Sequence, residues 1–376
     1  TPVSCASQLT GRYPYHHGLR SMHGHLKNRL PENIPTIQQE LQKLNYRTAA
    51  FVSAYPASSV YGFSRGFDLF NEEFLVQGRN ATITIDGRVE TGRSQRTAAE
   101  TQERVLPWLR KNAGKTFFLW LHYFDPHDTN FVPPSSFVAP FLRSSPEQDR
   151  PEFLRSVYDA EISFVDQHIG SLVSVLEELG IRKKTILVIT ADHGQGLGDH
   201  NWWTHGILYQ EQIRVPLIMN GPGIQEGLVV KDMVEHVDIF PTLMDLVQQG
   251  GSSNMDGLDG RSIVPLLQGR SLGESTRPAY SEVHNIQAFG STPQVRQRGE
   301  MYSLIQDQMK FIHYPLNPSF DELYDLRNDP GELQNLIESK RKTADDLLAD
   351  LRKREAIDHY VPNPATLSPE ERKHLK

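Results

Sequence analysis

Apolar and polar positions along the chain fall into short blocks whose period keeps changing. Residues 47–53 (RTAAFVS) and 116–123 (TFFLWLHY) are almost continuous apolar runs, the pattern of short buried strands. Between them, residues 96–112 place apolar side chains at roughly helical spacing. Residues 152–180 carry the same period through a long amphipathic helix that Gly180 would stop. Ile186 to Thr190 is apolar and largely β-branched, as a strand buried on both faces would be. A second strand with a turn follows in RVPLIMNGPG (214–223), then a helix with proline near its first turn in VDIFPTLMDLV (237–247). This alternation predicts an α/β fold, a mostly parallel central sheet flanked by helices. The pattern changes after about residue 270, where 301–314 and 321–326 read as short antiparallel strands and 331–354 as a charged helix. The predicted organisation is therefore a catalytic domain over 1–270, a small α+β subdomain over 271–355 and a polar surface tail over 356–376.

Composition narrows the function classes. The 376 residues carry 38% hydrophobic and 23% charged side chains, an ordinary globular balance. A net charge of -7 with no basic run argues against a nucleic-acid partner. No apolar stretch reaches the length of a membrane span. Cys5 is the one cysteine, so neither an intrachain disulfide nor a cysteine-rich zinc cluster can form. Asn80-Ala81-Thr82 has the form of a glycosylation acceptor, a triplet common by chance.

Three stretches carry candidate chemistry. In ITADHGQGLGDHNWWTHG an apolar strand runs straight into Asp192-His193, followed by a glycine-rich loop. Open α/β sheets bind ligands at the carboxyl ends of their strands, and a carboxylate beside an imidazole suits a divalent metal such as Zn or Mn. The same pair could equally be a solvent-exposed capped turn. His200 and His205 lie in the same loop system, with Trp202 and Trp203 between them as pocket walls or packing anchors. In LHYFDPHDTNFVPP, His122, Asp125, His127 and Asp128 crowd a second strand end. His122 sits at the last apolar turn and reads equally as a core histidine, whereas His127, past the proline, is better placed to face a cleft. The third stretch is TPVSCASQLTGRYP, where Pro2 suits a first helical position and Thr1 or Ser4 would cap a helix running through Leu9. A hydroxyl there feels the positive end of the helix dipole, a good position for attack on an anionic ester, but a plain N-cap would look the same.

With these stretches in hand, the chain resembles the sulfatase family of the alkaline phosphatase superfamily along nearly its whole length. Leu9-Thr10-Gly11-Arg12 fits the end of the family's nucleophile motif C-x-P-S-R-x-x-x-L-T-G-R, and Ser4 fits its serine. Counting back places Thr1 at the nucleophile, Val3 at the proline and Cys5 at the arginine. ADHGQGLGDHNWWTHGILYQEQIRVPLIMNGPG resembles the second signature, and VDIFPTLMDL, GLDGRSIVPLLQG and ELYDLRNDPGE the later ones. The resemblance implies an alkaline phosphatase-like fold and a metal-dependent hydrolase of sulfate, phosphate or phosphonate esters working through a covalent Thr1 ester. It implies a divalent metal (Ca, Mn or Zn) on Asp192, His193 and Thr1. His127 and His205 would contact the anion or assist the leaving group, and His122, His200 and Ser4 would line the substrate cleft.

Two departures shape the expectation. Threonine cannot become formylglycine, so an unmodified hydroxyl is expected, as in superfamily phosphodiesterases and phosphotransferases. The family's upstream strand with two metal-binding aspartates is not in this chain, which reads as lacking its beginning. The expected substrate is a sulfated or phosphorylated small molecule, glycan or lipid head group, its alcohol selected by a loop at about 71–95 and the C-terminal subdomain. The alternatives are a true sulfatase acting on sulfated glycans and a non-catalytic anion- or glycan-binding relic. The resemblance favours a periplasmic or extracellular location.

Overall fold

Strand β1 (Arg47–Val52) lies at the centre of a three-stranded parallel sheet, between β2 (Leu69–Asn71) and β5 (Phe117–His122). The apolar runs seen in sequence account for this placement, because alternate side chains must be buried on both sides. Ala49, Phe51, Leu119 and Leu121 pack on one face against Val105 and Leu109 of the helix Ala98–Asn112 and Leu172, Val175 and Leu176 of the helix Arg150–Glu178. Phe118 and Trp120 turn to the other face, toward the core that Cys5, Ala6 and Leu9 of the helix Pro2–Thr10 build with Phe240 and Met244. Helices thus cover both faces of the sheet, as the alternation in sequence predicted.

The computed structural model describes residues 1–21, 29–73, 95–127, 132–248, 257–273, 277–284 and 299–354, and the backbone of 82–85 and 88–91. The 71–95 loop lies largely outside the described residues. Asn80, Ala81, Asp128 and the 356–376 tail lie wholly outside them. Two compact units divide the chain, Thr1–Ser275 and Thr276–Lys376.

Within the first unit, local chemistry sets the helix starts. Thr97 and Glu100 form a capping box in which the Glu100 carboxylate accepts from the Thr97 N–H at 2.7 Å. Asp149 Oδ1 accepts from the Glu152 N–H at 3.1 Å and caps the 29-residue helix. Strands β3 (Thr82–Ile85) and β4 (Arg88–Thr91) form a short antiparallel pair. Strands β6 (Leu187–Thr190) and β7 (Leu217–Asn220) form another. The sequence predicted β6 buried on both faces; its residues are half-buried, and Ile218 of its partner is 57% exposed. No ladder among the described residues joins this pair to the three-stranded sheet, so part of its surface is left uncovered.

In the second unit, β8 (Ala279–Val283), β9 (Met301–Gln306), β10 (Met309–His313) and β11 (Glu322–Asp325) make an antiparallel sheet in the order β11-β10-β9-β8. The 301–314 stretch is a hairpin, turned at Asp307 and Gln308, which both hold positive φ (52° and 68°). No glycine marks that turn, which is why the sequence pattern did not show it. The charged helix spans only Arg341–Lys353 rather than 331–354. The ten residues before it are claimed by side chains instead. Asp329 accepts from the N–H groups of Leu333 and Gln334, and Asn335 Oδ1 from those of Leu323 and Ile337.

Candidate active site

Three chain segments converge at the C-terminal ends of β5 and β6 and at the start of the first helix. Thr1 occupies the N-cap position of Pro2–Thr10, but its hydroxyl makes no capping bond. Its Oγ1 lies 3.3 Å from His193 Nε2 instead. Thr1 is therefore more than a helix cap, and Pro2 takes the first helical position as expected. Ser4, one turn further and half-buried, makes no hydrogen bond to another described side chain.

Asp192 and His193 leave the end of β6 together. His193 Nδ1 lies 2.9 Å from the Gly194 carbonyl, to which it donates. The donated proton fixes the neutral tautomer and leaves Nε2 as an acceptor, so the Thr1 hydroxyl donates to it. Asp192 Oδ2 is 3.5 Å from the same Nε2, buried and without a hydrogen-bond partner. Desolvation raises the Asp192 pKa, but His193, His122 and Thr1 outweigh it and hold the carboxyl below the usual range. Burial lowers His193, and the Asp192 charge opposes this only in part.

His127 and His205 complete an imidazole cluster. One ligand atom from each of His127, His193 and His205 lies within 4.8 Å of the others. His193 and His205 stack with centroids 4.3 Å apart, and His127 meets His205 edge-on at 4.8 Å. Phe124 backs the His127 ring at 4.1 Å. Burial, reinforced by His193 and His127, drives the His205 pKa down to about 2, so its ring is neutral. Its Nδ1 faces Gln195 Oε1 at 3.2 Å, and the Gln195 amide is oriented by donating Nε2–H to the Trp203 carbonyl at 3.4 Å.

His122 stands outside the three-histidine cluster. Its Nδ1 is 3.2 Å from Ser53 Oγ, and burial brings its pKa to about 4, partly countered by Asp192. His200 is turned aside: Nδ1 is 3.0 Å from Glu211 Oε1, and the ring stacks on Tyr209 at 3.7 Å. Three participants escaped sequence reasoning. Ser53 follows β1, whose Val52 pairs with His122 in a register only the sheet reveals. Gln195 stands two residues past His193, a spacing that could have singled it out. His236, whose ring donates Nε2–H to the Ala191 carbonyl at 2.9 Å, pins the backbone before Asp192.

The loop that carries His205 folds back through close backbone approaches. Gly194 N–H donates to the Gln212 carbonyl at 2.8 Å, and a Cβ on Gly194 would sit 2.1 Å from the Glu211 carbonyl oxygen. Gly194→Ala must therefore displace either the His193 backbone or the 209–213 turn. We expect kcat to fall at least about tenfold while the protein stays folded, at a stability cost of about 1–3 kcal/mol, measured by steady-state kinetics and urea unfolding.

The residues present fit a divalent cation. A buried carboxylate oxygen lacking a hydrogen bond, an imidazole with its acceptor nitrogen exposed by tautomer and a hydroxyl meet within 3.3–3.5 Å of one Nε2. This mixed oxygen and nitrogen donor set suits Mn, Zn or Ca. The Nδ1 bond to a backbone carbonyl is the support a metal-ligating histidine needs. His193 also belongs to the imidazole cluster, so it stands where the two donor groups join.

Fold and site together define an α/β protein of the alkaline phosphatase type, its hydroxyl-bearing helix start set against strand-end acid and imidazole groups. Residues 1–249 match the model of the Sulfatase family, and the chain belongs to that family. Residues 198–357 match the family described as N-sulphoglucosamine sulphohydrolase, C-terminal. Arylsulfatase K of Mus musculus is 32% identical over 247 residues, 63% of this chain and 42% of the relative. The Delta 4,5-hexuronate-2-O-sulfatase of Bacteroides thetaiotaomicron is 25% identical over 399 residues, 95% of this chain and 78% of the relative. The chain thus spans about two fifths of the first relative and over three quarters of the second. The phosphonate monoester hydrolase of Silicibacter pomeroyi shares the fold, with a TM-score of 0.70 at 24% identity, covering 95% of this chain and 86% of that one. So does a protein solved with its substrate D-glucosamine-2-N,6-O-disulfate, with a TM-score of 0.72 at 20% identity over 94% and 87% of the two chains. Among the described residues, no helix is long and apolar enough to cross a membrane.

Proposed function

We propose that the chain hydrolyses sulfate esters of glycans with the Thr1 hydroxyl as nucleophile. The observation that carries this is the 3.3 Å contact between Thr1 Oγ1 and the acceptor nitrogen of His193, beside a buried Asp192 oxygen with no hydrogen bond. Sulfated-sugar substrates are supported by the two sulfated-sugar relatives named above. Phosphate or phosphonate ester cleavage is the second reading, supported by the unmodifiable threonine and the phosphonate hydrolase of the same fold.

In this reading Thr1 Oγ attacks sulfur in line with the departing sugar oxygen. The new bond is Oγ–S, the broken one is S–O to the sugar, and the hydroxyl proton leaves to solvent water. Water then cleaves the threonine ester and regenerates the hydroxyl. Asp192, His193 and Thr1 would hold the divalent cation; when bound, it acidifies the hydroxyl and neutralises a non-bridging oxygen. His205 is neutral in the free site, and an arriving anion raises its proton affinity. It therefore takes up a proton as substrate binds and returns it to the sugar oxygen as it leaves, with His127 contacting the anion beside it.

The test is hydrolysis of matched aryl sulfate, phosphate monoester, phosphodiester and phosphonate substrates with Mn, Zn, Ca or no metal. Preferential sulfate turnover supports the reading. Phosphonate preference moves it to the second one, and no turnover by a folded protein that holds no metal leaves the binding relic. Asp192→Asn is expected to lower metal affinity at least about tenfold, read as metal content after dialysis, and to lower turnover in parallel. Metal content equal to the parent's would remove Asp192 from the cation site.

A further inference from the structure

The two adjacent tryptophans of the active-site loop take opposite roles. Trp202 is buried, 6% exposed, and its Nε1–H donates to the His205 carbonyl at 3.2 Å. It anchors the loop, whereas Trp203 is turned outward. Trp203 is 41% exposed, and its indole N–H makes no hydrogen bond to a described residue. An indole combines an apolar face with a polar edge, which suits it to a binding surface.

A cation faces the same ring. The Arg155 guanidinium carbon lies 5.4 Å from the Trp203 ring centroid. Two of its nitrogens are committed: Nε–H donates to the Leu197 carbonyl at 3.0 Å and Nη1–H to Glu152 Oε2 at 3.2 Å. Its Nη2 donates to no described residue, and the side chain is 40% exposed. Glu152 is shared with Arg143 at 3.1 Å, and Arg143 also meets Asp159 at 3.4 Å, so Arg155 is held in place with Nη2 left over. Gly198 packs closely against both. At φ +99° it tolerates the tight turn, and a Cβ there would lie 2.7 Å from the Trp203 ring and 2.9 Å from Arg155 Nη2.

This pair is tied directly to the site. Gln195 accepts from His205 through Oε1 and donates through Nε2 to the Trp203 carbonyl, so one amide bridges the histidine ring and the tryptophan backbone. The loop between is stiff, with Leu197, Gly198, His200 and Asn201 all at positive φ.

We propose that Trp203 and Arg155 form a specificity subsite that stacks the sugar ring of an anionic glycan and pairs with its carboxylate or second sulfate. The subsite rests on the sulfated-glycan reading given above. An amphipathic sugar face suits the indole, and a planar guanidinium suits a carboxylate or sulfate. In a chain of net charge -7, an arginine held on the loop that carries His205 would distinguish acidic sugars from neutral ones.

The experiment compares a 2-O-sulfated Δ4,5-hexuronate disaccharide with 4-nitrophenyl sulfate. Trp203→Ala is expected to lower kcat/KM on the disaccharide about tenfold or more, through KM, and to leave the aryl ester within about twofold. Trp203→Phe should recover part of the loss. Arg155→Lys should lower the preference for the uronate disaccharide over a sulfated neutral sugar. An equal fall on both substrates, or no fall on the disaccharide, overturns the proposal. If the parent protein cleaves neither ester, the hydrolase reading fails separately. The subsite is then read by isothermal titration calorimetry with the same disaccharide: binding lost in Trp203→Ala upholds it, and unchanged binding overturns it.

Discussion

Thr1→Ala is expected to abolish ester turnover, a fall of at least about a thousandfold in kcat, while Thr1→Ser retains activity within about tenfold of the parent. The size follows from the role: without the oxygen no covalent ester can form, and water held by His193 would have to attack instead. The loss cannot be charged to the helix. The Thr1 side chain makes no capping bond, so alanine removes nothing that holds Pro2–Thr10 together. Its loss leaves His193 Nε2 and Asp192 Oδ2 in place. Thermal unfolding should therefore shift by no more than about 2 °C. Rapid quenching of the parent with substrate should trap the sulfuryl or phosphoryl group on the Thr1 peptide, detectable by mass. Substantial turnover in Thr1→Ala, with no trapped ester in the parent, would transfer the attack to a water molecule.

The outline of the site was legible because chemistry-bearing residues follow apolar runs directly. Asp192-His193 comes straight after Leu187–Thr190, and Asp125-Pro126-His127 soon after Phe117–His122. A run buried between layers delivers whatever follows it to the sheet's carboxyl edge, which singled out Asp192-His193 and His127, while the family resemblance paired His205 with His127. Spacing could not say which way a loop residue turns. His200 and His205 were equivalent in sequence, yet a backbone of positive φ and the Glu211 carboxylate draw His200 away. The same limit applied to Trp202 and Trp203, neighbours that the loop sends to opposite environments.

Charge state was even less legible. Burial makes His122 and His205 poor bases, while Asp192 stays ionised beside them. This is a property of solvent exclusion, which depends on how the segments pack rather than on any one of them. In the second unit the failure was local: the 331–340 stretch has helical composition, but Asp329 and Asn335 offer its amides better partners than a helix would.

The second large effect lies in that same unit. Lys310 on β10 and Glu332 form an ion pair with both side chains fully buried. Glu332 holds φ at 54°, a left-handed conformation unusual for its type, in order to point at the lysine. Burying two charges is repaid only while both are present. Glu332→Gln leaves an ammonium group in a dry interior and is expected to destabilise the unit by about 3–5 kcal/mol. The readout is amide hydrogen exchange in β9, β10 and β11, whose protection should fall about a hundredfold or more. Trp108, Trp120, Trp202 and Trp203 are all the tryptophans of the chain and lie in the first unit, so their fluorescence reports that unit separately. The double variant Lys310→Met/Glu332→Leu should recover most of the lost protection, because it removes both desolvation costs together and keeps the volume filled. Failure of the double variant, with Glu332→Gln unaltered from the parent, would mean that Lys310 is neutral in its site and that packing, rather than charge pairing, holds β10 in the sheet.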